Sequence, residues 1–585
     1  MGKGVVVKFS RAMKFVLSFL ILFCVLSVTS VALAVVFFGN SPPVGENSVL
    51  WLRIPDGLSE HGADDLFARV LGNQWTVGSV VGALQKAKVD ERISAVVVVP
   101  SSGGTLWGKV QEIRSAIGDF KTSGKPIVAY LESGGVQAYY LATICDEILM
   151  TPSSSLDLIG VAAYELFLRD GLDRLGIEAD VLTTGDYKTA FNTYTESTLS
   201  PAHREMSASL NQEFFDQLVS GIAKERGMDY EIVQDLIDRG PLLATEAERI
   251  GLIDGLVYED QMIQGLAIGE EYSSIEFDVY QAVSRADVGL EGGPKVAVIY
   301  VEGTIDLGKG GIDIQGGRTV GSETFGHAMR QARDDPTIQA IILRIDSPGG
   351  LAVAADIMWR EITLAREVKP VIASMSDVAA SGGYYIAAAA DAVVAQPGTL
   401  TGSIGAFSGK FVVEKLFKKI GVEMETVKNG AEADLFSPVR PFSDRGRMRL
   451  QMLLDATYRR FLAVVSEGRG LTLEAVHEIG QGRVWTGRQA VDNGLVDILG
   501  GMNEALVVAK EQANIAVSEN VTIVSFPRPQ SFFEQVSRSL SLISKGAYGN
   551  SIQPGSFGLD AAILSPVKLM REGSVLLLMP DFVWH

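Results

Sequence analysis

The 585-residue chain reads as an α/β protein built from two copies of one domain. Three observations predict this. Short apolar runs of strand type alternate with helical patterns, which implies a largely parallel sheet with helical cover. A long series of residue matches recurs at one spacing. The chain is also too long for a single core.

The first element is N-terminal. Lys3, Lys8, Arg11 and Lys14 lie in residues 1–14, and residues 15–38 carry no charge. At about 1.5 Å per residue that run spans roughly 36 Å as a helix, enough to cross a bilayer. Basic residues are scarce after it until Arg53. The N-terminus is therefore expected in the cytoplasm and the bulk of the chain on the other side. Ala32-Leu33-Ala34 looks like a cleavage site, but the apolar run continues past it, so an uncleaved anchor is expected.

The duplication is read from residues 93–104 against 338–350. Ala95 matches Ala340, and the same offset of 245 carries Tyr139-Tyr140 to Tyr384-Tyr385, Asp146 to Asp391, Pro152 to Pro397 and Gly160 to Gly405. Later the offset becomes 243, carrying Gly227 to Gly470 and Gly251 to Gly494. The repeats are expected at 46–264 and 295–515, joined by a Gly- and acid-rich linker, 265–294. A tail, 516–585, does not repeat.

Within the second repeat the expected order is a buried strand (340–345) ending in Ser-Pro-Gly-Gly, then a helix near 352–367. A strand (371–375) then runs toward Ser381, followed by a short helix, a strand at 392–395 and Thr401-Gly-Ser-Ile-Gly-Ala. Residues 447–467 read as a long helix. In the tail, Phe532–Ser544 has an amphipathic pattern, and 575–579 is an apolar run. These cover a sheet edge, meet a partner or touch membrane, with a packed tail the default.

Composition excludes several classes. The net charge of −19 argues against nucleic acid, whose phosphates need clustered Lys and Arg. The two cysteines, Cys24 and Cys145, supply neither a disulfide framework nor a Cys-based zinc site. The five histidines are scattered and form no HExxH.

The candidate site is Val-Ala-Ala-Ser-Gly-Gly-Tyr-Tyr, 378–385. A serine at a strand-to-helix corner has its hydroxyl beside free backbone N–H groups that favour negative charge. Gly382 and Gly383 let a substrate approach. The two repeats then differ in an informative way. Ser381 shifted back by 245 falls on Val136, and Lys188 shifted forward falls on Ala433. One repeat holds a serine without the lysine, the other a lysine without the serine, as a composite site would. A serine needs a base, and lysine serves only when neutral, which burial promotes. Lys428, in the serine's own repeat, is the rival base. Gly349-Gly350 ends a strand, and its N–H groups would complete an oxyanion hole with Gly382. Ser403, whose counterpart is Leu158, either orients the lysine or is a turn serine. Glu132-Ser-Gly-Gly135 copies the motif three residues out of register and is not the nucleophile.

At Asp346-Ser-Pro-Gly-Gly350, Ala380-Ser-Gly-Gly-Tyr384, Thr401-Gly-Ser-Ile-Gly405 and Gly185-Asp-Tyr-Lys-Thr-Ala190 the chain resembles signal peptide peptidase A in its long, two-repeat form, also called protease IV. The resemblance covers about residues 46–515 and the anchor. It implies tandem ClpP/crotonase-like domains and a serine protease with a Ser-Lys dyad that needs no metal or cofactor. By carry-over Ser381 is the nucleophile, Lys188 the general base, Gly382 an oxyanion donor and Ser403 the lysine's helper. It further implies a single-pass inner-membrane protein with its bulk on the periplasmic side, a homotetramer, and released signal peptides as substrates. A crotonase-type acyl-CoA enzyme and an inactive membrane scaffold are the rival expectations.

Overall fold

The computed structural model describes residues 43–62, 75–101, 106–265, 272–312, 317–527, 574–580 and 583–584. The expected anchor at 15–38 and the amphipathic stretch at 532–544 lie outside the described residues. Among the described residues, no helix is long and apolar enough to cross a membrane.

Two sheets repeat one topology. The first runs Gly255–Leu256, Glu147–Met150, Ile127–Leu131, Ile93–Pro100, Ser48–Ile54, Ser273–Glu276, every neighbouring pair parallel. In the second, Ile498–Leu499, Ala392–Ala395, Val371–Ala380, Ile338–Ser347, Lys295–Glu302 and Thr522–Phe526 follow the same order, also parallel. Leu400–Gly402 pairs with the far end of Val371–Ala380, and Val484–Thr486 pairs antiparallel to it. The apolar runs dictate this arrangement. Val96, Val97 and Val98 are fully buried, as are Ala340 to Leu343, because helices cover both faces of a parallel sheet. Helix Ala352–Arg366, for example, buries Ala354, Ala355, Met358, Ile362 and Ala365 on one face.

Part of the stretch read as a linker, Ser273–Glu276, is an edge strand on the first sheet. The start of the tail, Thr522–Phe526, is its equivalent on the second.

A third sheet joins the halves. Its order is Gly310–Ile312, Arg318–Gly321, Thr304–Asp306, Gly349–Leu351, Leu576–Leu578, Phe407–Val412, Glu178–Thr183. The last pairing crosses the repeats: six residues of Glu178–Thr183 lie antiparallel to six of Phe407–Val412. A buried ionic cluster also links the two repeats. Arg344 of the second repeat donates to Glu60 at 2.7 Å and Glu112 at 2.6 Å of the first. Lys109 of the first repeat meets Asp346 at 2.7 Å and Asp377 at 3.4 Å of the second.

Candidate active site

Strand Val371–Ala380 is buried along its whole length and ends at Ser381, where the chain turns into helix Gly382–Ala387. Ser381 has φ 53° and ψ −112°, a left-handed φ that costs a non-glycine residue about 1–3 kcal/mol. Two backbone bonds hold it there. Ser381 N donates to Gly402 O at 2.8 Å, and Tyr385 N donates to Ser381 O at 2.8 Å. The side chain is fully buried.

Lys188 arrives from the other repeat. The strand before it, Glu178–Thr183, is pinned to Phe407–Val412. Past the strand end, Thr184 N donates to Ala406 O at 2.8 Å, and Ala406 N donates to Thr184 Oγ1 at 2.9 Å. The lysine's Nζ lies 2.8 Å from Ser381 Oγ, 2.9 Å from Ser403 Oγ and 2.9 Å from Ser403 O. Its side chain is buried, and that burial holds its pKa well below the ordinary 10.5. Among the described residues, Lys188 has no ion pair with a carboxylate. An ammonium has three donors and no acceptor. The neutral amine has a lone pair to take a proton from Ser381 while its N–H groups face Ser403.

The structure thus brings Lys188 together with Ser381 and Ser403, which lie 193 and 215 residues further along the chain. Ser403, with φ 52°, offers both its carbonyl and its hydroxyl to the amine. Lys428 is elsewhere, exposed and paired with Asp434 at 2.7 Å. Ser133, in the near-copy of the motif, is exposed. In the first repeat, Leu158, the Ser403 counterpart, is fully buried.

The three glycines also converge, but not identically. Gly349 N donates to Ser347 Oγ at 3.2 Å, which leaves Gly350 and Gly382 as the better-placed donors. A β-carbon on Gly382 would lie 3.1 Å from Gly350 N, so the two N–H groups belong to one small region. Gly382 opens its helix, where the N–H groups have no intrahelical acceptor.

Sequence reasoning missed Thr184, Ser347 and the Gln481-Gly482 pair. Tyr187 N donates to Gln481 O at 2.9 Å. Gly482 has φ +87°, and a β-carbon there would fall 2.4 Å from Lys188 N. Only glycine fits against the lysine's backbone. Gly482→Ala is therefore expected to push Lys188 off its mark. A misplacement near 1 Å costs about 100-fold in rate, so kcat should fall by that order with KM little changed and the circular-dichroism spectrum retained.

Comparison with known proteins fits this geometry. The model of Peptidase family S49 matches residues 119–273 and 363–516, once in each repeat. "Serine protease SPPA, chloroplastic" of Arabidopsis thaliana is 37% identical over 454 residues, covering 76% of this chain and 67% of that one. "Protease 4" of Salmonella typhi is 33% identical over 450 residues, covering 74% and 72%. "Putative signal peptide peptidase SppA" of Enterococcus faecium is 32% identical over 205 residues, covering 35% and 59%. The class is that of a serine protease, a hydrolase acting on peptides. The chain belongs to Peptidase family S49.

Proposed function

We propose that this serine protease cuts peptides by acyl transfer through a serine–lysine dyad, with Ser381 as nucleophile and Lys188 as general base. One observation carries the reading: a buried amine 2.8 Å from a fully buried serine hydroxyl. Ser381 Oγ adds to the peptide carbonyl as its proton moves to Lys188 Nζ. Gly350 and Gly382 N–H groups hold the oxyanion, and Gly349 leaves space for the substrate backbone. Lys188 then protonates the leaving amine, and water resolves the ester. Ser403 positions the amine through its carbonyl and hydroxyl.

The substrates proposed are released signal peptides and other apolar peptides. The printed name of the Enterococcus relative supports this. The wider expectations stand as part of the same proposal: ClpP/crotonase-like repeats at 46–264 and 295–515, a membrane anchor at 15–38, the bulk of the chain across the inner membrane from the N-terminus, and a homotetramer. The uncharged run of 24 residues supports the anchor.

Labelling with a fluorophosphonate tests the dyad. The adduct is expected on Ser381 alone. Because the base acts when neutral, the labelling rate should rise with pH, about tenfold per unit at first, and level off well below 10.5, the ordinary lysine value. An adduct on another serine, or a rate still climbing at 10.5, overturns the assignment.

A further inference from the structure

One turn touches both the lysine and its acceptor. Lys188 Nζ is held by the carbonyl and hydroxyl of Ser403, and residues 480–483 lie against both partners. On the lysine's side, Tyr187 N donates to Gln481 O, and a β-carbon on Gly185 would fall 2.3 Å from that same oxygen. On the serine's side, Ser403 N donates to Arg483 O at 2.7 Å, and Gly482 N donates to Ile404 O at 2.8 Å. The turn therefore sets where the amine and Ser403 stand relative to each other.

Part of what holds the turn is backbone. Arg483 N donates to Gly480 O at 2.9 Å, and Gln481 N donates to Tyr458 Oη at 3.1 Å. Gln481 has φ 53°, a left-handed value that a side-chain-bearing residue keeps only where its surroundings fix it.

The rest is the Arg483 side chain. Its guanidinium donates through Nη1 and Nη2 to the two carboxylate oxygens of Glu205, at 2.6 and 2.8 Å. It lies 5.0 Å from the centroid of the Tyr187 ring and 4.2 Å from that of Trp485. Trp485 is fixed in turn, its Nε1 donating to Ile479 O at 2.9 Å. Tyr187 and Glu205, the latter on helix Pro201–Arg226, both belong to the first repeat. One side chain of the second repeat thus grips the neighbour of Lys188 and a helix of the repeat that delivers it, while its own carbonyl holds Ser403. Arginine suits this place, because its planar fork meets a carboxylate with two bonds and its flat face lies on an aromatic ring.

The first repeat supplies the contrast. Its equivalent turn lies at the offset of 243, so Arg483 corresponds to Gly240 (483 − 243 = 240) and Trp485 to Leu242. The backbone arrangement recurs. Trp485 pairs with Thr401, and Leu242 pairs with Leu156, the Thr401 counterpart. A β-carbon on Gly240 would fall 2.2 Å from the carbonyl oxygen of Leu158, the Ser403 counterpart. The turn is common to both repeats, but the arginine and the tryptophan stand only where there is a lysine to hold.

We propose that Arg483 is a positioning residue for the general base, clamping the Lys188 segment against the turn that holds Ser403 and keeping water from the amine. The proposal rests on the Ser381–Lys188 reading. Arg483 touches no reacting atom and acts through Tyr187 and Ser403. Burial keeps Lys188 from holding its proton. Without the clamp the Tyr187 ring loses its cover, water reaches the segment, and the amine stands more often as an ammonium. The loss of activity should therefore depend on pH. The ion pair adds little stability of its own, because Glu205 is half-exposed.

The test is the pH dependence of fluorophosphonate labelling at Ser381, with peptide hydrolysis beside it. Arg483→Ala is expected to slow labelling at neutral pH by about tenfold. Its rising limb should move to higher pH, and its rate should return close to wild type on the alkaline plateau. KM and the urea midpoint should change little. Arg483→Lys keeps the charge but neither the fork nor the flat face, and should behave like the alanine variant. Glu205→Gln, which keeps its size, should move the limb in the same direction by less. Should Arg483→Ala not fold, the other two variants decide by the same profile. No loss at neutral pH, a loss equal at every pH, or a lysine variant with the wild-type profile overturns the proposal and leaves the dyad standing. Wild-type labelling that does not depend on Lys188 overturns both.

Discussion

Replacing Lys188 with Met is expected to lower kcat by about 10⁴-fold or more, because removing one member of the nucleophile–base unit proposed above forfeits nearly all of its contribution. The same substitution changes stability in a pH-dependent way. Burial holds the Lys188 pKa well below 10.5. Between its folded-state value and 10.5, the unfolded chain binds the proton and the folded chain does not. Wild-type stability therefore rises with pH across that window, and the cost of the buried amine is fully present below it. Met has no such cost. Relative to wild type, Lys188→Met should gain about 1.4 kcal/mol per pH unit as pH falls from 10.5, until the folded-state pKa is reached. Against this, Ser403 O loses its donor, worth about 1–3 kcal/mol. Urea midpoints of the two proteins across the alkaline range measure the slope. A stability difference that does not change with pH would mean that the amine is charged in the fold, and it would then be no base.

The meeting of Ser381 with Lys188 was legible in the sequence because the two repeats have diverged in complementary ways. Val136 stands where Ser381 should recur, and Ala433 where Lys188 should. The serine corner was also legible, since the apolar strand before it and the small residues after it are local signals. Helix Ala352–Arg366 and strand Ala392–Ala395 fall where their patterns place them. Strand Val371–Ala380 extends five residues beyond the apolar run, through Ser376 and Asp377. Those polar residues read as a strand end. They are buried because the other repeat satisfies them: Ser376 donates to Glu60, and Lys109 N donates to Asp377 Oδ1 at 2.8 Å. The apolar run at 575–579 was legible as a packed segment covering a sheet edge, but which edge it covers, like the role of Gly482, was illegible for the same reason. Their partners, Lys188 and Gly350, are more than two hundred residues away, and no local pattern records such a contact.

Arg344→Ala is expected to destabilise the fold by about 3–5 kcal/mol, the usual cost of stripping one partner from a buried ion pair. Arg344 donates through Nε to Glu60, through Nη2 to Glu112 and through Nη1 to Ser374 at 3.0 Å. It is 2% exposed and both carboxylates are nearly as buried, so water cannot replace the guanidinium. Alanine leaves two like charges facing each other at the seam between the repeats. The effect should appear as a lower urea midpoint with an unchanged m-value. Replacing Arg344, Glu60 and Glu112 together with apolar residues of similar volume should recover most of the loss, because such a cluster often adds little net stability over a packed apolar one. The cluster's value is then positional. A dyad split between repeats tolerates little sliding, and a guanidinium that must meet two carboxylates of the other repeat fixes one arrangement. The triple apolar variant should therefore come close to wild-type stability yet be slower in peptide hydrolysis. Equal stability with unchanged kcat would show that the third sheet alone sets the register.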